Sequence, residues 1–452
     1  MTLLEIYKKE GTRKLLASLI SIIMGLAVGA LVVIIVGLTE DNIGQKDIWK
    51  GVQMIFGGIA VTGQDAEANL VWGFDAQNLG NMLFRATPII MTGLSVAVAF
   101  KTGLFNIGAP GQFLMGTLAT LVIALSIPTN IVPGWIVWIL AFLGGMLAGA
   151  LWGAIPGLLK AFLNINEVLA CIMTNWIAAY FVSWQFDGSS FRNMLEGTKT
   201  GYIYKTSVGL QSIDGVSTYV AGEGVSTPKM GLDKIFPGSQ INGGIIIAIV
   251  LAILVYIILN KTTFGYQLKA CGSNRHAARY AGINDKRNII FSMAIAGALA
   301  AAGASLYWLS GNTEFYWNTY QSLPSEGFDG ISVALLAINN PIGVIFSGTF
   351  MAMLKVVGSK LSGYTAYNEY ITEVVVSFIV YLSAFSLVIR NLLAGRKKKA
   401  QEEKPAPVAE EAAPAVQEEI AEEPTEEPTE EPAEAEQTPE ETPTNEEGGA
   451  DQ

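Results

Sequence analysis

The chain has 452 residues, of which 51% are hydrophobic and only 15% are charged, well below the roughly 25% typical of soluble domains. This balance predicts a membrane protein. The net charge of −11 is uneven, because residues 400–452 hold 19 acidic side chains and one lysine, which leaves the rest of the chain basic. No basic stripe lies outside the membrane-flanking positions, so binding of nucleic acid is not favoured.

Cysteine and histidine are scarce. Cys171 and Cys271 show no disulfide framework or metal-ligand spacing, and His276 is the single histidine. The sequence therefore predicts neither a disulfide-stabilised domain nor a metal site.

The first predicted element is a membrane anchor. Residues 1–14 are basic, which predicts a cytoplasmic N-terminus, and the apolar run 15–38 follows. A signal peptide has an apolar region of about 7–15 residues, and this run is longer. About 20 apolar residues cross a bilayer as a helix, so we expect an uncleaved helix.

Nine further apolar runs follow within a membrane-spanning region, 15–394. They lie at 79–100, 112–127, 135–155, 168–186, 244–259, 289–309, 328–338, 342–357 and 371–389. The sequence therefore predicts an all-α polytopic membrane protein with about ten transmembrane helices.

Gly145, Gly149 and Gly153 recur at four-residue spacing, as do Gly25 and Gly29. This spacing favours close helix packing within the bundle, with a dimer seam as the alternative.

Lysine and arginine in short loops predict the orientation. The N-terminus, the loop 260–288 and residues 396–399 are basic, so we expect all three, and both termini, to be cytoplasmic. Lys355 and Lys360 fit this scheme poorly. The Gly-, Ser- and Thr-rich insertion 187–243 is then extracellular, with short strands, and residues 48–63 predict an external amphipathic helix. The Glu/Pro-rich tail 395–452 is predicted to be disordered.

Two stretches interrupt the apolar runs with helix-breaking residues. Residues 105–112 read Phe-Asn-Ile-Gly-Ala-Pro-Gly-Gln, and residues 324–330 read Pro-Ser-Glu-Gly-Phe-Asp-Gly. Non-helical backbone is tolerated at membrane depth only inside protein or beside water. Paired interruptions of this kind are typical of a transporter's substrate path, with ordinary surface loops as the alternative.

Ionisable residues occur near membrane depth. Because a charge at the bilayer centre costs at least about 2.5–3.5 kcal/mol, and all of these lie near the ends of apolar segments, we interpret them as interfacial. They form no buried chain of carboxylates suited to proton relay. They are Arg85, Glu167, Glu326, Asp329 and Glu373.

The basic loop contains a capped helix pattern. Ser273 or Asn274 can cap a short helix that runs through Tyr280, and Gly282 can end it. Such a helix is suited to docking another protein, although the same pattern fits a plain amphipathic connector.

These residues resemble a known family. Gly-Ser-Asn at 272–274 and Ala-Ala-Arg-Tyr-Ala-Gly-Ile at 277–283, followed by the small-residue run 296–304, resemble the coupling loop of ABC-importer permeases in the branched-chain amino acid, ribose and nucleoside group. Residues 105–112 and 327–336 resemble the nucleoside and simple-sugar branch, and 166–168 with Asn175 is a weaker match. The similarity covers roughly residues 79–390.

The resemblance implies function and partners. The chain would be a bacterial plasma-membrane permease, surrounded by membrane lipid, that takes up nucleosides or related simple sugars. Its partners would be a second permease subunit, a cytoplasmic ABC ATPase and an extracellular substrate-binding lipoprotein. We find no Walker-type phosphate loop, so ATP would be hydrolysed by the partner ATPase. The chain itself would be a transport subunit, not an enzyme, with no cofactor.

The resemblance also implies two sets of site residues. The expected substrate path comprises Phe105, Asn106, Gly108, Gly111, Gln112, Glu167, Asn175, Glu326, Phe328 and Asp329. The expected ATPase-coupling residues are Gly272, Ser273, Asn274, Arg275, Ala277, Ala278, Arg279, Tyr280, Ala281 and Gly282.

Other classes of protein explain less of the sequence. An ion-coupled secondary transporter of a small polar solute would also use broken helices, but the docking loop and the missing carboxylate chain count against it. A membrane enzyme would need a nucleophile–base pair or a metal cluster. A scaffold does not explain the two helix breaks.

Overall fold

A computed structural model describes residues 10–187, 189, 191, 201–202, 209–213, 216–220, 224–313, 315–316, 322–368 and 370–383. The acidic tail, most of the N-terminal segment and part of the insertion lie outside the described residues, so the predictions made for them are not addressed by the structure.

Fourteen α-helices occur in the described part of the chain. They are α1 Glu10–Thr39, α2 Gln45–Gly57, α3 Ala76–Lys101, α4 Ala109–Ser126, α5 Gly134–Leu163, α6 Glu167–Asp187, α7 Leu232–Ile235, α8 Gly244–Lys261, α9 Thr263–Ser273, α10 Arg275–Tyr280, α11 Asp285–Trp308, α12 Ser325–Leu336, α13 Pro341–Tyr364 and α14 Tyr370–Ser383.

The residues that the structure describes also form three antiparallel strand pairs. They are β1 Val61–Gln64 with β2 Leu70–Trp72, β3 Gly201–Tyr202 with β6 Phe315–Tyr316, and β4 Gly209–Ile213 with β5 Val216–Val220. Strands β3, β4 and β5 lie in the insertion, whose composition predicted short strands.

Over its described residues, every apolar run of the sequence corresponds to a helix, which confirms the all-α polytopic fold. Eight of the described helices (α1, α3, α4, α5, α6, α8, α11 and α13) are long and apolar enough to cross a membrane. The remaining two runs correspond to α14 and α12. At 12 residues, α12 is about 18 Å long and covers little more than half of a hydrocarbon core of about 30 Å. The second predicted break is therefore a half-length helix entered through the non-helical residues 322–324.

Helices α5 and α11 pack at backbone contact through small residues. A Cβ on Gly297 would collide with the backbone of Gly149, and one on Gly153 with the carbonyl oxygen of Met293. A Cβ on Gly145 would meet the hydroxyls of Thr120 and Ser305. Close approach of this kind is the means by which helices associate in lipid. The glycine repeat thus packs the bundle, as predicted.

Helices α1 and α14 form a second glycine-mediated pair. A Cβ on Gly25 would meet Ile379, and one on Gly29 would meet Val375. The phenol of Tyr367, between α13 and α14, donates to the carbonyl oxygen of Val33 at 2.7 Å. The last described helix is therefore held on the first.

An amphipathic helix and a hairpin join α1 to α3. Helix α2 buries Met54 and Ile55 but exposes Trp49 and Phe56. It is amphipathic as predicted, but it ends at Gly57, and the last residues of the predicted range 48–63 belong to β1. Lys360 of α13 donates to the carbonyl oxygen of Val61 at 3.0 Å. This lysine, which fitted the orientation scheme poorly, therefore ties the α1–α3 connection to the end of α13.

Candidate functional site

The two helix breaks meet inside the bundle. Gly327, in the first turn of α12, lies against Pro110, in the first turn of α4, so closely that a Cβ on Gly327 would be 2.6 Å from the Pro110 nitrogen. The hydroxyl of Thr92 in α3 donates to the carbonyl oxygen of Glu326 at 2.7 Å. The N-termini of two helices from different halves of the chain therefore abut each other, beside α3.

A network of amides closes the first break. Asn106 Nδ2 donates to Gln112 Oε1 at 2.8 Å and to Ser95 Oγ at 3.0 Å, and Gln112 Nε2 donates back to Asn106 Oδ1 at 3.1 Å. The backbone N–H of Gly108 donates to the same oxygen at 3.1 Å. Buried polar groups are tolerated when they are hydrogen-bonded in this way, so Asn106 and Gln112 hold the non-helical backbone in place.

Asn175 fixes the same break from α6. Its Nδ2 donates to the carbonyl oxygen of Ile107 at 2.9 Å, and its Oδ1 accepts from the N–H of Gly111 at 2.9 Å. A Cβ on Gly111 would be 2.8 Å from the Cα of Asn175. The side chain of Asn175 thus replaces a backbone partner that the broken helix lacks.

The second break opens into a cavity of about 740 Å³. Five helices surround this cavity: α3, α11, α12, α13 and α14. Its lining includes Arg85, Pro88, Ile89, Tyr307, Ser325, Glu326, Phe328, Asp329, Ser332, Leu354, Lys355, Gly358, Ser359, Tyr370, Thr372, Glu373, Val376, Ser377 and Tyr381. We call this space the central cavity.

An ion pair joins the half-length helix to α13 in the cavity wall. Lys355 Nζ contacts Asp329 Oδ2 at 2.5 Å and lies 3.3 Å from Ser325 Oγ. Both charged side chains are largely buried, with 22% and 13% of their surface exposed. Lys355, the other lysine that fitted the orientation scheme poorly, therefore compensates a carboxylate within the protein.

Three other charged residues of the central cavity have no ion pair among the described residues. They are Arg85, Glu326 and Glu373. The structure places these three residues and Asp329 around one cavity, and their interfacial placement stays a prediction. A charged residue in a membrane bundle that faces a cavity marks a functional site by default.

The predicted path residues fall into separate groups. Glu326, Phe328 and Asp329 line the central cavity, whereas Asn106, Gln112 and Asn175 are buried in the amide network. Gly108 and Gly111 belong to the same network, and Phe105 packs on Phe100 with ring centroids 5.2 Å apart.

Glu167 stands apart from both groups and pairs with Lys160 at 2.8 Å. The substrate role of all these residues stays a prediction.

Sequence reasoning missed Lys355 and Tyr307 as cavity residues and gave Arg85 and Glu373 no role in the path. For Lys355, Arg85 and Glu373, the available signal was a charged residue within or beside an apolar run. Within the described residues, no group of three or more His, Cys, Asp or Glu side chains is close enough to hold a metal ion.

The predicted coupling segment forms the short helix α10, with the predicted caps. The Asn274 side chain accepts from the N–H of Ala277 at 3.0 Å, and Gly282 ends the segment with φ +78°. Since only glycine adopts this conformation freely, both ends of the helix are fixed by local chemistry.

The predicted coupling residues of α10 lie on different faces of this helix, and Ala278 lies on the buried face. It is 4% exposed and faces the chain's own interior, whereas Tyr280 is 95% exposed. Ala277 and Ala281 are also exposed. The outer face of α10, defined by Ala277, Tyr280 and Ala281, is therefore the part open to a partner, and Ala278 anchors the helix instead.

Two contacts connect the coupling segment to the bundle. Arg279 Nη2 and Nε donate to the two carboxylate oxygens of Asp285, the first residue of α11, at 2.7 and 3.1 Å. This hydrogen bond and the charge of Asp285 raise the pKa of the Arg279 guanidinium. A Cβ on Gly272 would be 2.8 Å from the backbone nitrogen of Gly103, at the start of the first break. The segment thus touches both α11 and the backbone that leads into α4.

The chain forms a helical bundle that contains a discontinuous helix, and a charged cavity lies at the start of that helix. A short capped helix is exposed in addition. Together these features are the architecture of a membrane transport subunit. Residues 78–384 match the family described as branched-chain amino acid transport system / permease component, and the chain belongs to this family. It is a multi-pass cell-membrane permease and a transport component, not an enzyme.

Three relatives are similar over most of their length. The chain is 33% identical to the guanosine ABC transporter permease protein NupP of Bacillus subtilis over 85% of this chain and 97% of the relative. It is 32% identical to the nucleoside ABC transporter permease protein NupB of Lactococcus lactis over 85% and 95%. It is 29% identical to the glucose ABC transporter permease protein TsgB13 of Haloferax volcanii over 67% and 74%.

Proposed function

We propose that this chain is the permease subunit of an ABC importer that takes up nucleosides. The observation that carries the proposal is the similarity to the guanosine and nucleoside permeases, which spans 95–97% of those relatives. The glucose permease is matched over a smaller share of both chains, so a sugar is the less favoured substrate.

The central cavity supports this choice of solute. Its volume of about 740 Å³ lies within the roughly 300–1,000 Å³ of small-molecule sites. Aromatic rings from Tyr307, Phe328, Tyr370 and Tyr381 share its wall with charged side chains. Such a wall suits a solute that carries a flat heteroaromatic base and several hydroxyl groups.

Within this proposal the predicted path residues have different roles. Glu326, Phe328 and Asp329 face the solute. The amide network of Asn106, Gln112 and Asn175 supports the backbone on which α12 rests. Glu167 tethers the start of α6 to α5. The chain binds no cofactor of its own, and ATP is used by a partner.

The proposed partners are a second permease subunit, a cytoplasmic ABC ATPase and an extracellular substrate-binding lipoprotein. The ATPase docks on the outer face of α10. Its motion passes to α11 through the Arg279–Asp285 pair and to the first break through Gly272. From there the contact of Gly327 with Pro110 leads to α12 and the central cavity.

Uptake of labelled solutes tests the proposed function. Deleting the gene in its host should abolish high-affinity uptake of labelled guanosine, adenosine or uridine, and restoring the gene should recover it. Uptake should stop on ATP depletion and survive ionophores that collapse ion gradients. Unchanged nucleoside uptake together with lost glucose or leucine uptake would overturn the substrate assignment but leave the importer class standing.

A further inference from the structure

The three carboxylates of the central cavity are not equivalent. Asp329 is engaged by Lys355 at 2.5 Å and belongs to the structure of the wall. Glu326 and Glu373 line the same cavity, and neither has an ion pair or a side-chain hydrogen bond among the described residues. Two carboxyl groups are therefore open to a solute, whereas the third is already occupied.

Glu326 is the better placed of these two acceptors. Its own carbonyl oxygen is fixed by Thr92 at 2.7 Å, and the next residue, Gly327, is wedged against Pro110. Glu373, by contrast, lies on an exposed turn at the start of α14. A binding group that is held by its surroundings loses less entropy when it engages a solute.

The surroundings of Glu326 indicate what it contacts. Tyr307 shares the cavity wall with Glu326, and its ring stacks on Phe84 with centroids 5.5 Å apart. A fixed aromatic ring beside an unpaired carboxylate matches a solute that has an apolar ring and neighbouring hydroxyl donors. A carboxylate has two oxygens and accepts hydrogen bonds from both of two adjacent hydroxyls, and these charge-assisted bonds are stronger than neutral ones.

We propose that Glu326 is the specificity-determining residue for the ribose of the solute, and that its carboxylate accepts hydrogen bonds from the vicinal 2′- and 3′-hydroxyls. This inference rests on the proposed function and deepens it. It assigns Asp329 a positioning role through Lys355 and gives Glu373 a smaller part in sugar recognition than Glu326.

The test compares uptake efficiencies of sugar-modified nucleosides. The complete importer is expressed in cells that lack other nucleoside uptake, and Vmax/KM is measured for guanosine, 2′-deoxyguanosine and 2′,3′-dideoxyguanosine. The ratio between two solutes does not depend on how much importer reaches the membrane. The binding protein is the same in every strain, so its own preference cancels when the variant's ratio is divided by that of the wild type.

Glu326→Gln should lower the guanosine-to-dideoxyguanosine ratio about tenfold, which corresponds to the loss of one hydrogen bond to a charged acceptor. The guanosine-to-deoxyguanosine ratio should fall by a smaller factor. Glu326→Asp, which keeps the carboxylate, should retain most of the discrimination. Glu373→Gln makes the same chemical change in the same cavity and should lower both ratios less than Glu326→Gln does, whereas Glu40→Gln, at an exposed position after α1, should leave both ratios unchanged.

Several outcomes would overturn the inference. They are a wild-type importer that transports the three nucleosides equally well, a Glu326→Gln variant that slows all three by one common factor, or a loss of discrimination in Glu373→Gln alone. A wild-type importer that transports no nucleoside would instead overturn the proposed function itself.

Discussion

The two helix breaks have similar compositions but different surroundings. The first contains Asn106 and Gln112, whose amides satisfy each other and the nearby backbone, so the break is filled with protein. The second contains Glu326 and Asp329, which line an open cavity. A break in a membrane helix is therefore not a substrate site in itself, because the way its freed polar groups are satisfied decides whether any remain for a solute.

The largest effect should come from the closed break. Asn106→Ala removes the partner of Gln112 and of the Gly108 N–H while both stay buried, and each unsatisfied buried group costs about 1–3 kcal/mol. We expect the free energy of unfolding in mixed detergent micelles to fall by about 3 kcal/mol. The exposed Asn260→Ala should change the free energy of unfolding by less than about 0.5 kcal/mol. An Asn106→Ala variant as stable as Asn260→Ala would show that the amide network does not support the break.

The sequence predicted the helices well because their apolar runs are long enough to span a membrane, and it predicted α10 because Asn274 and Gly282 act locally. It did not predict the central cavity. Lys355 and Ser325 are 30 positions apart, so their contact depends on how α12 and α13 pack. For the same reason, the pattern could not show that Ala278 faces inward.

The open break should be held by its ion pair. Asp329→Asn or Lys355→Met alone leaves a largely buried charge without its partner, which should destabilise the protein by about 2 kcal/mol. This loss is smaller than the roughly 3–5 kcal/mol expected when a fully buried pair is broken, because both groups are partly exposed. The double variant should be more stable than the sum of the single changes predicts. A double-mutant cycle in the same micelles measures this coupling, and strictly additive losses would mean that the pair does not join α12 to α13.

The contact between the two breaks should tolerate no added methyl group. Gly327→Ala places a Cβ 2.6 Å from the backbone of Pro110, and overpacking of this kind costs about 1–3 kcal/mol. A Cβ on Gly363 would have no neighbouring atom within 4 Å, so Gly363→Ala in the same protein is the matched control. If both variants unfold at the same detergent concentration as the wild type, the two breaks do not pack against each other.

The smallest effect on stability should occur on the outer face of α10, where the proposed effect on function is large. Tyr280 is 95% exposed, so Tyr280→Ala should leave the free energy of unfolding within about 0.5 kcal/mol of the wild type. The same change removes the largest side chain that this face offers to an ATPase, and truncating an exposed aromatic anchor at an interface commonly weakens binding by more than about 1 kcal/mol.

Ala278→Trp provides the opposite case, because this residue is 4% exposed. A bulky ring there should disturb the packing of α10 against the rest of the protein. It should therefore lower the stability of the protein as well as the docking of the ATPase. Pull-down of the ATPase and solute-stimulated ATP hydrolysis in reconstituted membranes should therefore fall in both variants, while unfolding shifts in Ala278→Trp alone. Wild-type ATPase binding by Tyr280→Ala would mean that the partner does not dock on the outer face of α10.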